Sequence, residues 1–349
     1  MLNSPEFLPG SRSQPADRRD DYDVTNTVNV ASVPAVRDAI QALFEMIFPT
    51  TSFDPLWLAL HDFNLLFDGR LPGYRGCDTV YHDKQHTLDM TLAMTRLIIG
   101  HESICAEKDR LGPERTMLGI VTALFHDSGY ICRTDEPRWQ NGAEVTNWHV
   151  SRSAEFLRTI LPRLGMEHWT ELATRIVHFT GYEINIDDIE LDDPKDIMIG
   201  HFLGTADLMA QMADRCYLEK CRDRLYSEFV LAGVAITPHS IHVNDMNYSS
   251  GIELLKKTPG FFQNMAMKRL NTKFNRAYKY IEALYDGRNP YFEFIEKNLH
   301  YLCRIIDSGD WHQLRRSPPC YTALENPIQS ISALVSQRLA NQRVPDNLR

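Results

Sequence analysis

The 349-residue chain contains no C-x-x-C pair, no G-x-x-x-x-G-K-[ST], no G-x-G-x-x-G, no G-x-S-x-G and no H-E-x-x-H. The familiar sequence signals for phosphate-loop, dinucleotide, nucleophile-elbow and zinc-protease chemistry are therefore missing. The seven cysteines (Cys77, Cys105, Cys132, Cys216, Cys221, Cys303 and Cys320) are odd in number and widely spaced. They read as reduced thiols of a cytoplasmic protein rather than a disulfide framework. The longest apolar run, Met117 to Phe125, falls far short of the ~18–20 residues that span a bilayer, so no membrane partner is expected. Basic charge is short as well: 37 Lys and Arg face 46 Asp and Glu, a net charge of −9. Scattered basic residues in an acidic chain make a poor partner for a nucleic-acid polymer. A small anionic substrate would need a local positive centre, most simply a bound cation.

Turn residues are also scarce. Gly and Pro number 18 each, about a tenth of the chain against the usual ~12%, which favours long elements. What is there is helical periodicity. Val36, Ile40, Leu43, Phe44 and Ile47 share one stripe, as do Met117, Ile120, Val121, Leu124 and Phe125. Ala154, Leu157, Ile160, Leu161 and Leu164 form a third before Gly165, and Trp169 to Thr180 a fourth. Asn289-Pro290 reads as an N-cap followed by proline at the first helical position, ahead of Phe292, Ile295, Leu299, Leu302 and Ile306. Only Val24 to Val33 looks extended. The reading is an all-α fold, with residues 31–310 as one helical domain. Residues 1–30, rich in Pro, Ser and charge and without an apolar core, are expected to be a disordered leader and not a signal peptide. Residues 311–349 read as a polar tail. Within it Ile328, Ile331, Leu334, Val335 and Leu339 suit a short amphipathic helix that docks on the body or on a second copy in a homodimer.

Histidine and aspartate carry the chemistry. The chain reads Tyr81-His82-Asp83-Lys84-Gln85-His86-Thr87-Leu88-Asp89, then Phe125-His126-Asp127-Ser128-Gly129-Tyr130, then Gly204-Thr205-Ala206-Asp207-Leu208. With 13 histidines, about one His-Asp pair arises by chance. His61-Asp62 has nothing around it and reads as that pair. His126-Asp127 instead closes an apolar stripe, which delivers imidazole and carboxylate together into the interior. An ionised aspartate left unpaired there costs several kcal/mol and calls for a cation or a hydrogen-bond network. Asp207, in a segment apolar nearly all round, makes the same demand. His82 and His86 are four apart and share a face if helical. Two imidazoles and two buried carboxylates from three distant segments suit a divalent metal, while each residue taken singly also suits a satisfied core or capping role.

The order of these motifs resembles the HD superfamily of metal-dependent phosphohydrolases and, within it, the catalytic domain of class I 3′,5′-cyclic nucleotide phosphodiesterases. Tyr81-His82-Asp83-x-x-His86-Thr87-x-Asp89-Met90 is similar to the family's Y-H-N-x-x-H-A-x-D-V. Asn147-Trp148-His149, Thr205-Ala206-Asp207-Leu208, Asp223 to Phe229 and Thr258-Pro259-Gly260-Phe261-Phe262 follow in the family's order. The resemblance implies a compact multi-helix phosphodiesterase-like bundle and two divalent ions, zinc with magnesium or manganese. It makes His86, His126, Asp127 and Asp207 the ligands of the first ion, with Asp127 bridging to the second. It makes His82 the general acid and places Tyr81, Thr258 and Phe261 against the substrate. A metal-bridging hydroxide would then attack phosphorus in line, with no covalent intermediate.

The chain departs from that pattern at several positions. Tyr130 stands where a histidine is usual, Thr146 replaces the acidic residue of E-N-H-H, Ala210 replaces an asparagine, and Thr258 occupies the place of the purine-gripping glutamine. His149, and Tyr130 itself, are candidates to touch the metal ligands, although His149 also suits a plain helix start. His178 reads as a packing or surface histidine, Asp187 to Asp193 as a solvated loop, and Lys256-Lys257 and Arg315-Arg316 as too few for a phosphate track. The expected substrate is a small nucleotide-like phosphodiester such as a 3′,5′-cyclic nucleotide. The alternatives are an HD-type nucleotidase or phosphatase of another small phosphorylated metabolite, or a catalytically weak nucleotide-binding sensor.

Overall fold

Twelve α-helices form in the computed structural model, which describes residues 18–235 and 248–342. In chain order they are α1 (Val33–Ile47), α2 (Asp54–Phe67), α3 (Lys84–Ile104), α4 (Gly112–Phe125), α5 (His149–Arg163), α6 (Thr170–Ile176), α7 (Pro194–Ala213), α8 (Tyr217–Lys220), α9 (Tyr226–Leu231), α10 (Gly251–Phe261), α11 (Pro290–Ser308) and α12 (Pro327–Gln342). The protein is all-α: among the described residues the only β pairings are two isolated bridges, Tyr22 with Asn29 and Tyr74 with Arg133. The stretch that looked extended, Val24 to Val33, therefore makes a turn closed by one bridge and not a strand. No helix of the described chain is long and apolar enough to cross a membrane.

The middle of the molecule is α3, which packs against α7, α4, α1 and the 3-10 segment Ala277–Leu284. Its first turn is fixed by Asp83, an extended N-cap residue whose carboxylate accepts from the His86 amide at 3.1 Å. Thr91 and Thr95 lie fully buried along it, and their hydroxyls donate to the Thr87 and Thr91 carbonyls at 2.7 and 2.9 Å, so neither hydroxyl is stranded. Gly100 marks a close approach of α3 to the segment Ala277–Leu284: a Cβ at that position would stand 2.0 Å from the Tyr280 carbonyl oxygen. Gly100→Ala gains ~1 kcal/mol of helix propensity, but the clash forces backbone apart at a cost of about 1–3 kcal/mol or more. The expected result is a lower urea midpoint at unchanged m-value.

Both ends of the described chain, from residue 18 and to residue 342, are tied to this body. The expected leader does not hold over residues 18–30, because Val24 and Val30 are buried and the Asp23 carboxylate reaches the buried Arg96 guanidinium at 2.8 Å. Residues 1–17 lie outside the described residues. At the other end the Tyr321 amide donates to Asp83 at 3.0 Å, the Lys84 amide to the Tyr321 carbonyl at 3.1 Å and the Ala323 amide to the Cys77 carbonyl at 2.7 Å. Arg224, buried, donates to the carbonyls of Pro318 and Pro319. The α12 helix then docks on this chain through Ile331, which sinks among Val80, Ala143 and Leu231.

Candidate functional site

Three segments bring the predicted residues together. His86 comes from the first turn of α3, and Asp207 from the middle of α7. His126 and Asp127 follow directly on the last residue of α4, where the chain leaves the helix. The sequence expectation that His82 and His86 share a helix face is corrected here. Asp83 ends the loop as the N-cap of α3, so His82 stands before the helix, yet the two rings still meet edge to face at 5.7 Å.

His86 Nε2 lies 3.4 Å from both Asp127 Oδ2 and Asp207 Oδ1, and His126 Nε2 lies 3.2 Å from Asp127 Oδ2 and 3.8 Å from Asp207 Oδ1. Two ligands of a tetrahedral ion, each ~2.0–2.1 Å from the metal, stand about 3.3 Å apart, so these separations suit a shared ion. His126 Nδ1 faces the Ala123 carbonyl at 2.8 Å. Donating its proton there leaves the Nε2 lone pair aimed at the carboxylates, the usual way a metal-binding imidazole is fixed. His126 Nε2 and Asp127 Oδ2 are buried and have no hydrogen-bond partner. Orphaned atoms of this kind are rare in a folded interior and call for an ion or water. Asp207 is less enclosed than its apolar segment suggested, with 13% of its side chain exposed.

Electrostatics makes the same demand. Burial pushes the His86 imidazolium down, but Asp127 and Asp207 outweigh it and carry the group up to about 10. Burial likewise opposes the Asp127 carboxylate, yet His126 and His86 hold it well below the ordinary range. The pocket gathers positive charge onto its imidazoles, a role that a divalent cation fills with the imidazoles neutral.

Around this centre lie residues with different tasks. His82 Nδ1 meets Glu228 Oε2 at 2.6 Å. The other oxygen of Glu228, which is fully buried, accepts from the Val80 and Tyr81 amides at 2.7 and 2.6 Å. One carboxylate on α9 therefore fastens the whole His82 loop. Tyr130 is sandwiched, its ring stacked on His82 at 4.5 Å and on His149 at 4.4 Å. His149 Nδ1 faces the Thr146 carbonyl at 2.6 Å, which leaves Nε2 toward Asp127 Oδ1 at 3.8 Å. Burial pushes the His149 imidazolium down despite Asp127 nearby. The Tyr81 hydroxyl donates to Gln211 Oε1 at 3.0 Å, and Gln211 Nε2 donates to the Asp207 carbonyl at 3.1 Å.

Not every predicted residue joins the cluster. Thr258 and Phe261 sit on α10, which packs on the turn Cys221–Leu225, and the Thr258 hydroxyl donates back to the Leu254 carbonyl at 3.0 Å. Neither makes a hydrogen bond or ring contact with the histidine–aspartate cluster among the described residues. His178 is buried with Nδ1 unpartnered. Two neighbours were not assigned from sequence, Glu228 and Gln211. Glu228 stands in the segment Asp223 to Phe229, whose resemblance implies no task for this carboxylate, and nothing in the spacing marks Gln211.

No curated protein and no solved structure matches the chain. Residues 70–293 match the family model of the Npun_R2479-like proteins, and every residue of the cluster, with His82, Glu228, Tyr130 and His149, falls inside that span. The match covers more than half of the chain, and the protein belongs to the Npun_R2479-like family.

Proposed function

We propose that this protein is a metal-dependent phosphohydrolase acting on a small nucleotide-like phosphoester, with a 3′,5′-cyclic nucleotide as the leading substrate class. The observation that carries the reading is the orphaned pair His126 Nε2 and Asp127 Oδ2, buried and facing His86 and Asp207, with an imidazole–carboxylate pair next to them. His86, His126, Asp127 and Asp207 would hold one divalent ion, zinc by the chemistry of the donors. Asp127 would also help to hold a second ion, magnesium or manganese. When bound, such ions supply a water acidified to near neutral pH and positive charge against the phosphate.

The rest is work for this chain's own residues. His82 donates a proton to the departing ester oxygen and regains one from solvent. Glu228 accepts a hydrogen bond from His82 Nδ1–H and so supports the ring while it is charged, the form in which Nε2–H is the proton donor. Tyr130 fills the space between His82 and His149 and keeps both rings in place. Tyr81 and Gln211 fix the backbone at Asp207.

One observation favours a second reading, an HD-type nucleotidase or phosphatase of another small phosphorylated metabolite. The Thr258 hydroxyl is spent on the Leu254 carbonyl, so the position that would read a base offers no side-chain donor. Turnover of cyclic and linear nucleotides and of simple phosphomonoesters, with zinc, manganese or magnesium supplied, separates the two. His82→Ala is expected to lose about 10²–10⁴-fold in kcat at unchanged metal content, and Glu228→Gln to lose less in the same direction. Binding of nucleotides without turnover under any metal would leave a sensor and overturn the enzyme.

A further inference from the structure

A second group of metal-ligating side chains converges at the far end of α3. His101 and Cys105 are four residues apart, and the Cys105 amide donates to the His101 carbonyl at 2.9 Å, so both project from one face as the helix closes. Glu102 lies beside them. One donor atom from each of the three residues falls within 4.8 Å of the others.

We propose that His101, Glu102 and Cys105 bind one zinc-class divalent ion that joins the end of α3 to the start of α4. His101 Nδ1 stands 3.1 Å from Glu102 Oε1, close to the ~3.3 Å expected between two ligands of a tetrahedral ion. The imidazole is held edge to face against Phe202 and Tyr280, with ring centroids 5.6 and 4.9 Å away. Glu102 is 1% exposed and is itself fixed by the amides that open α4, Leu111 at 2.8 Å and Gly112 at 3.3 Å. A carboxylate with about four acceptor sites keeps room for an ion beside these bonds. Cys105 is only half-buried, and Ile104 and Tyr280 border an open surface groove, so an ion can enter from solvent.

The donor set decides the metal. A thiolate, an imidazole and a carboxylate suit zinc and neither magnesium nor calcium, and three protein ligands leave a fourth position for water. The carbonyls at a helix C-terminus add partial negative charge where the cation would sit. On binding, the Cys105 thiol gives up its proton to solvent and His101 keeps its ring proton on Nε2. Fifteen residues of α3 separate His101 from His86, about 22 Å at 1.5 Å per residue, so this site is independent of the proposed hydrolytic centre.

Cobalt(II) titrated into the reduced protein tests the assignment, because the other cluster contains no sulfur. The expected result is a near-ultraviolet thiolate-to-cobalt charge-transfer band in the wild type. Cys105→Ser should abolish it and lower bound zinc by one equivalent per chain. His101→Gln should raise the cobalt concentration for half-saturation at least tenfold. Absence of the band in the wild type, its survival in Cys105→Ser, or no weakening in a folded His101→Gln variant would each overturn the site. Cys105 is only half-buried, so the serine variant is expected to fold, with its far-ultraviolet spectrum as the check.

Discussion

Asp127→Asn should lower the proposed hydrolytic activity by about a thousandfold, ~4 kcal/mol at 1.36 kcal/mol per decade. The substitution keeps the shape of the side chain and removes the charge that both His86 and His126 face. Of all the donors Asp127 is the most heavily engaged, since its two oxygens address three imidazoles, His86, His126 and His149. A second readout separates loss of the ion from loss of the fold. Wild-type protein should gain thermal stability as zinc is added, because an ion that binds only the folded state stabilises by RT ln(1 + [L]/Kd), ~2.7 kcal/mol at a hundredfold excess over Kd. In a Cys105→Ser background, which removes the other proposed zinc site, the variant should fold and show no such gain. Full turnover by Asp127→Asn, or a zinc-induced shift equal to that of wild type, would refute the role of Asp127.

The largest effect on stability is expected at Asp23. Its carboxylate is fully buried and accepts from Arg96 at 2.8 Å, from the Thr25 hydroxyl at 2.6 Å and from the Thr27 and Val28 amides at 2.9 and 2.8 Å. Arg96 also donates to the Tyr291 hydroxyl at 2.8 Å, so one guanidinium joins the N-terminal strap, α3 and α11. Asp23→Ala leaves that guanidinium buried without its counter-charge, a loss of about 3–5 kcal/mol, measured as a drop in the urea midpoint. An Asp23→Ala/Arg96→Met double variant should be less destabilised than the sum of the two single changes.

The pH dependence follows from the same group. Burial pushes the Asp23 carboxyl up, but Arg96, Thr25 and the Val28 amide outweigh burial and hold it below its ordinary 3.8. A lowered folded-state value means that the contribution is complete above the unfolded value of ~3.9 and is lost as pH falls through the folded one. Wild type should therefore shed stability below about pH 4. That share of the slope should be missing from Asp23→Ala, and equal slopes in the two proteins would argue against the pairing.

Much of this architecture could be read from the residues. The stripes at Val36–Ile47 and Met117–Phe125 mark α1 and α4, and Asn289-Pro290 sets the start of α11 as an N-cap should. The convergence of His86, His126, Asp127 and Asp207 was legible because a carboxylate at the end of an apolar stripe has few tolerable surroundings. The place of His82 was not, since a spacing of four says nothing of where a helix begins, and Asp83 decides that by capping. The order of residues 18–30 was hidden for another reason. A strap rich in Asp and Arg looks solvated until its partner, Arg96, is known to be buried on a distant helix. Glu228 escaped similarly, as an unremarkable carboxylate whose three partners lie about 150 residues upstream.

The pairing of Tyr321 with Asp83 has a consequence for how the protein comes into being. These residues are 238 positions apart, so the loop that carries His82 gains its last backbone partners late in synthesis, roughly 12–50 s after His82 itself is made at 5–20 residues per second. A closure of such high contact order is slow to form and weakly held until then. A nascent chain that has only reached the end of the family-matched span, residue 293, already holds every proposed metal ligand. It already has Glu228, which fastens the His82 loop, but still lacks the Tyr321 pairing at Asp83, so the proposed uptake of metal is expected to appear before that loop is fully closed.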